Sequence, residues 1–198
     1  IKKISPEFIK KENIYSTEFS EYGKKCINDY GITCISNTIS YFSNNPKFNS
    51  FFNVICFFQF LEHIDNINDF LQQLSKIASN NAIIIIAVPN DKRRIIFEKM
   101  NIFEDIPPVH ISRWNKKSFE FWANKNNWQI EKHVYEPTNF KEIIYYFLNN
   151  KTTVLKRVNR KIKILIMPFL LLINLKGVLK ICKKEMGVSQ LVLLKKCK

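Results

Sequence analysis

Glycine is nearly missing from this chain of 198 residues: there are four, Gly23, Gly31, Gly177 and Gly187, and no GxG pair among them. A glycine-rich turn, which lets backbone approach a nucleotide closely, is thereby excluded from the stretch given. Cysteine is scattered: Cys26, Cys34, Cys56, Cys182 and Cys197 form no CxxC pair, and with His63, His110 and His133 they show no metal-ligand spacing. Such thiols read as reduced, which fits a cytoplasmic protein, and no signal-peptide pattern is present. No apolar run reaches the roughly 20 residues that cross a bilayer; Ile162 to Leu175 is too short, and Pro168 would kink a helix there. Acids are also few, 17 against 31 Lys and Arg, for a formal net charge of +14. Thirteen of those bases lie between Lys151 and Lys198, where Glu185 is the one acid. The excess is thus a property of the tail, which weakens a nucleic-acid reading of the rest.

What remains is an ordinary globular composition, 46% hydrophobic and 24% charged, long enough for one domain with a real core. Its rhythm alternates strand and helix. Asn13 to Phe19 is a short β-type run. Ser20 to Tyr30 is helical, with Ser20 a suitable N-cap and Gly31 closing it. Ile32 to Ser36 is a second strand and Phe51 to Phe58 a nearly continuous apolar run. From Asp65 to Ala78, residues Ile67, Phe70, Leu71, Leu74 and Ile77 share one helical face. Asn81 to Val88 is again continuously apolar, and Pro89 stops it. Strands apolar on both faces between amphipathic helices predict a doubly wound, mostly parallel α/β sheet, covered on both sides. Helix Asn115–Asn127, with Phe119, Trp122 and Ala123 inward, leads into strand Trp128–Tyr135. On that strand His133 reads as a surface residue, and Trp114, Trp122 and Trp128 read as packing. Phe140 to Leu148 reads as a helix, and Val188 to Leu194 returns to β character.

Ligands of such sheets bind beyond the carboxyl ends of the strands. Glu18 ends the first strand, where a carboxylate can accept both hydroxyls of a ribose or can simply be solvated. The segment FFNVICFFQFLEHIDNINDFLQQLSKI then carries a strand into Leu61-Glu62-His63 and a helix. It resembles the F-D-V-(apolar)-x-x-x-x-(apolar)-L-E-H motif of class I S-adenosylmethionine (SAM) dependent methyltransferases. NAIIIIAVPN is similar to that family's next strand, PPVHISRWNKKSFEFWANKNNWQIEKH to its Pro-Pro-x-His stretch, helix and strand, and YSTEFSEYGKKCINDYGITCISNTI to its second and third strands. The likeness covers Ile1 to about Glu136 and the final strand.

The resemblance implies a Rossmann-like methyltransferase fold missing its first strand. It implies a truncated core over 1–136, a helical basic insertion over 137–187, and the final core strand over 188–198. It implies SAM as cofactor, with Glu18 on the ribose, Thr38 and Ile39 along the adenine, and Phe58 and Gln59 near the methionine part. His63, beside Glu62, and His110 would be catalytic, and His110 and Arg113 would meet the substrate; no metal is implied. Asn53 stands where the family commonly has Asp. The absent glycine turn, with Ile1 to Lys11 reading as the helix that follows it, predicts a carboxy-terminal fragment that binds SAM weakly and is inactive alone. The acceptor would be a small molecule, a sugar or a lipid-linked glycan; the alternative is a non-catalytic, methyltransferase-like scaffold or membrane adaptor. No nucleic-acid acceptor is expected, since no N-P-P-aromatic motif follows the fourth strand. Lys156, Arg157, Arg160, Lys161 and Lys163 on one side, and Lys176, Lys180, Lys183 and Lys184 on the other, flank the aliphatic tail segment. Three readings of it stay open: an interfacial segment on anionic lipid at the inner face of the membrane, a lid over the substrate, or an oligomer contact.

Overall fold

The computed structural model describes residues 10–94, 107–137 and 187–197. The helix expected at Ile1–Lys11 falls outside these up to residue 9. The helix expected at Phe140–Leu148, the basic segment from Lys151 to Lys184 and nearly all of the 137–187 insertion fall outside them too. The chain divides into two compact units, Ile1–Asn53 with Asn66–Ala82, and Val54–Asp65 with Ile83–Lys198. Among the described residues no helix is long and apolar enough to cross a membrane.

In the first unit, strand β1 (Ser16–Thr17) runs parallel to β2 (Cys34–Ser36), with Ser16 opposite Cys34. Helix α1 (Glu21–Asp29) connects them. Ser20 caps it as expected, its hydroxyl accepting from the Gly23 amide at 3.0 Å. Gly31 sits at φ 72°, the left-handed conformation a helix end favours, and its amide donates to the Asn28 carbonyl at 2.7 Å. β1 is shorter than the run Asn13–Phe19, because Lys11–Asn13 forms a 3₁₀ turn that delays the strand.

Helix α2 (Ser40–Ser43) meets helix α3 (Ile67–Ile77), where Ser40 Oγ donates to Gln73 Oε1 at 2.9 Å. α3 starts after Asp65 because Asn66, not Asp65, is its cap, accepting from the Asp69 amide at 3.3 Å. Phe70, Leu71, Leu74 and Ile77 are buried on its inner face, each contributing roughly 1.5–3 kcal/mol. Tyr15 packs edge-on to Phe42, Phe48, Phe51 and Phe52, with ring centroids 5.5–6.1 Å apart, the geometry aromatic quadrupoles prefer.

Strands β3 (Phe52–Phe58) and β4 (Ala78–Pro89) run in the same direction. The Phe51 amide donates to Ile77 and the Gln59 amide to Ala87, so partners advance together along both strands. β4 begins three residues before the apolar run. Beyond it Ala82, Ile84, Ile86 and Val88 are all buried, and the alternate residues are half-buried, as in a strand covered on both faces.

The expectation that Phe51–Phe58 is likewise buried on both faces does not hold. Val54 is 56% and Phe58 58% exposed, and Phe57 is the one buried residue of β3. The reason is position: the sheet order is β3-β4-β6-β5, so β3 is an edge strand, and a second, two-stranded sheet holds β1 and β2. An apolar run reports hydrophobicity, not place in a sheet.

In the second unit, helix α4 (Lys116–Lys125) is capped by Asn115, whose side chain accepts from the Ser118 amide at 2.9 Å. Phe119, Trp122 and Ala123 are buried as expected, and Trp122 stacks on Trp128 at 6.0 Å. Strand β6 (Ser189–Lys196) lies between β4 and β5 (Trp128–Tyr135), antiparallel to both. Gly187, which leads into β6, donates its amide to the Glu136 carbonyl at 2.8 Å. A Cβ there would stand 2.6 Å from that carbonyl oxygen and from the Glu136 Cβ. Gly187→Ala should therefore destabilise the chain by about 1–3 kcal/mol, read as an earlier denaturant midpoint at unchanged slope.

Candidate functional site

In the first unit Glu18 follows β1. Its Oε1 accepts from the Ser20 amide at 2.7 Å and the Ser20 hydroxyl at 2.9 Å. These two bonds, the amide's above all, hold the carboxyl below its ordinary value. The side chain can lie across the start of α1 only because Gly23 has no Cβ; one built there would meet Glu18 Cγ and Cδ at 2.6 Å. Glu18 is thus an ionised acceptor fixed at a strand end, which suits the ribose role, and it also serves its own helix. Because the folded pKa is the lower one, its contribution to stability is present above the ordinary carboxyl value of 4.5 and is lost as pH falls through the folded value. Thermal melts of Glu18→Gln should accordingly depend less on pH than wild type below pH 4.5. Thr38 is exposed and its amide donates to Ser36 Oγ at 3.2 Å, while Ile39 is half-buried at the start of α2.

The second unit holds Phe58, Gln59, His63, His110 and Arg113. Gln59 has φ 50°, unusual for a residue with a side chain. Its Nε2 donates to Ser189 Oγ at 3.1 Å, so the side chain turns toward β6. Leu61–His63 forms a 3₁₀ turn after β3, with Leu61 and Glu62 each 1% exposed.

That turn is fastened to the loop carrying His110. The Glu62 carbonyl accepts from the amides of Ile111 at 2.8 Å and Ser112 at 3.0 Å. Ser112 Oγ donates to the Leu61 carbonyl at 3.0 Å and accepts from Trp114 Nε1 at 3.0 Å. His63 Nδ1 lies 2.9 Å from the Val109 carbonyl; a carbonyl only accepts, so Nδ1 carries a proton, and in the neutral ring Nε2 carries the lone pair. His110 is therefore held by bonds to residues on both sides of it. The two imidazoles stand edge to face, centroids 4.8 Å apart.

Beside them opens a small cleft, lined by Glu62 and His110, by Val88 to Asp91 and Arg94 from the end of β4 onward, and by Ser112, Arg113 and Trp114. It lies beyond the carboxyl ends of β3 and β4, where parallel strands place ligands. Arg113 is exposed at it; His110 is half-buried.

Two supports of this cleft were not legible as site residues. Asn90, 1% exposed, donates to the Gly187 carbonyl at 3.0 Å and accepts from the Lys92 amide at 3.0 Å. Gln190, wholly buried on β6, donates through Nε2 to the Pro89 carbonyl at 2.9 Å and the Trp114 carbonyl at 2.7 Å. Those two acceptors fix the amide's orientation, so Oε1 accepts from His133 Nε2 at 2.8 Å. His133 is accordingly half-buried and bonded, not a plain surface residue. The available signal was a lone amide in the apolar strand VSQLVLL. Trp114 joins the cleft wall while packing on Phe119, centroids 4.9 Å apart.

No curated protein matches the chain. Its fold is similar to that of a SAM-dependent methyltransferase from Archaeoglobus fulgidus, at 14% identity and TM-score 0.56, covering 92% of this chain and 75% of that one. The YcgJ protein of Bacillus subtilis is similar at 8% identity and TM-score 0.52, covering 93% and 82%. The plantazolicin methyltransferase BpumL, solved with a pentazolic desmethylPZN analogue and SAH, is similar at 17% identity and TM-score 0.50, covering 97% and 72%. The family model for the methyltransferase domain matches residues 5–133, well over half of the sequence. This chain belongs to the methyltransferase-domain family.

Proposed function

We propose that this chain serves transfer of the SAM methyl group to a small-molecule acceptor bound in the cleft beside His110 and Arg113. The carrying observation is the fastening of the His110 loop onto the Leu61–His63 turn by four hydrogen bonds at the carboxyl ends of β3 and β4. SAM supplies an electrophilic methyl on a sulfonium, so the protein's work is placement. Glu18 would accept the ribose hydroxyls; Thr38 and Ile39 would flank the adenine, and Phe58 and Gln59 the methionine part. Arg113 and His110 would orient the acceptor, and with a hydroxyl acceptor its proton would leave on the His110 and His63 side of the cleft. Trp114 and the Val88–Pro89 edge supply apolar wall. A sugar or lipid-linked acceptor would meet the same Arg113 and His110 side chains, with the basic sequence from Lys151 onward favouring an anionic membrane surface as the place where it is met.

The test is SAH release from SAM over a panel of phenols, free sugars and prenyl-lipid hydroxyls, with SAM binding measured by calorimetry. Acceptor-dependent SAH is expected at saturating SAM, where concentration overcomes the weak cofactor binding that the resemblance implies, so that the inactivity implied with it is one of cofactor affinity. Neither SAM nor SAH binding at millimolar concentration, and no SAH with any acceptor, would instead support the non-catalytic scaffold.

A further inference from the structure

Glu62, His63 and His110 offer a carboxylate oxygen and two imidazole nitrogens that all lie within 4.8 Å of one another. Spacing along the chain hides this set, since His110 comes from a different loop. The geometry points to a binding site for a divalent transition cation of the zinc type on these three side chains, with its open coordination positions toward the cleft.

Three features carry it. The bond from His63 Nδ1 to the Val109 carbonyl, 2.9 Å, leaves Nε2 as the ligand atom; a backbone carbonyl behind a histidine is the usual outer-shell device for orienting a metal ligand. Glu62 is 1% exposed and its backbone is pinned by two amides, so its side chain enters the cleft wall from a fixed turn. Two imidazoles and one carboxylate with a fourth position open is also a donor set that zinc takes in catalytic sites. A tetrahedral ion bound at about 2.0–2.1 Å would draw its ligand atoms to roughly 3.4 Å apart, so the three side chains close inward when it binds.

The cleft also carries Arg94 and Arg113, with Asp91 beside them. Glu62 is the one anionic ligand of the set, so loss of that carboxylate should hurt more than loss of either imidazole. This inference shares the cleft of the methyl-transfer reading: a cation there would acidify an acceptor hydroxyl directly, with His110 as its ligand.

The experiment is titration of the chelator-treated 198-residue chain with Zn²⁺ by calorimetry and with Co²⁺ by visible absorption. One ion per chain is expected, with four-coordinate Co²⁺ bands and no thiolate charge-transfer band, which excludes the cysteines as ligands. His63→Ala and His110→Ala should weaken binding at least about 100-fold and Glu62→Gln more, while His133→Ala leaves it unchanged. Circular dichroism checks folding; should a variant unfold, the wild-type Co²⁺ spectrum still decides. No saturable site, a thiolate band, or binding indifferent to Glu62→Gln in a folded chain overturns the inference. Methyl transfer by a chain that shows no saturable cation site overturns it while leaving the proposed function standing. Metal binding without SAH formation does the reverse.

Discussion

His110→Ala is expected to lower turnover at saturating SAM by about 10²- to 10⁴-fold, the range for losing a group that handles the acceptor's proton. The imidazole lies on the cleft wall, and its loop is fixed by backbone bonds from Val109, Ile111 and Ser112 to the Leu61–His63 turn. None of those bonds uses the His110 side chain, so the loop should stay fastened and SAM affinity should change less than turnover. Retained SAM binding with a collapsed kcat is the signature to seek. Turnover within about threefold of wild type would remove His110 from the chemistry, since a group in that role is worth far more. The loss follows whether the imidazole receives the proton or holds a cation, and chelation separates the two. His63→Ala should act differently, because it also frees the Val109 carbonyl and loosens the loop.

Gln190→Leu is expected to cost about 3–5 kcal/mol of stability. Leucine fills a similar volume but removes all three hydrogen bonds of a wholly buried amide. The carbonyls of Pro89 and Trp114 and the Nε2–H of His133 lose their partner together. Each orphaned buried polar group costs about 1–3 kcal/mol, and Pro89 and Trp114 also line the cleft. The thermal midpoint should fall by about 10 °C for a chain of this size, and turnover should fall with it. A loss below about 1 kcal/mol would mean that water replaces the amide and that β6 is not the tie its geometry indicates.

Much of this was legible in the chain. The caps at Ser20 and Asn115, the left-handed Gly31, the inward faces of α3 and α4 and the strand Trp128–Tyr135 all follow from local chemistry: short polar side chains satisfy helix ends, and apolar periodicity selects a face. The Leu61-Glu62-His63 and Pro-Pro-Val-His stretches were recognisable as parts of one family's pattern. Other features were not legible. The exposure of β3 depends on its being an edge strand, and the two antiparallel pairings of β6 join residues more than 50 positions apart. The half-buried His133 depends on Gln190 in the same way.

By itself, then, the sequence determined the elements, the family and the residue types that could do the chemistry. These depend on propensity, periodicity and motif, which are properties of neighbours along the chain. Tertiary structure alone decided that Glu62, His63 and His110 converge, that Gln190 ties Pro89, Trp114 and His133 together, and that one apolar strand is buried while another is exposed. Those outcomes depend on which distant segments pair, and pairing is settled by the joint free energy of strands and loops that no local window contains.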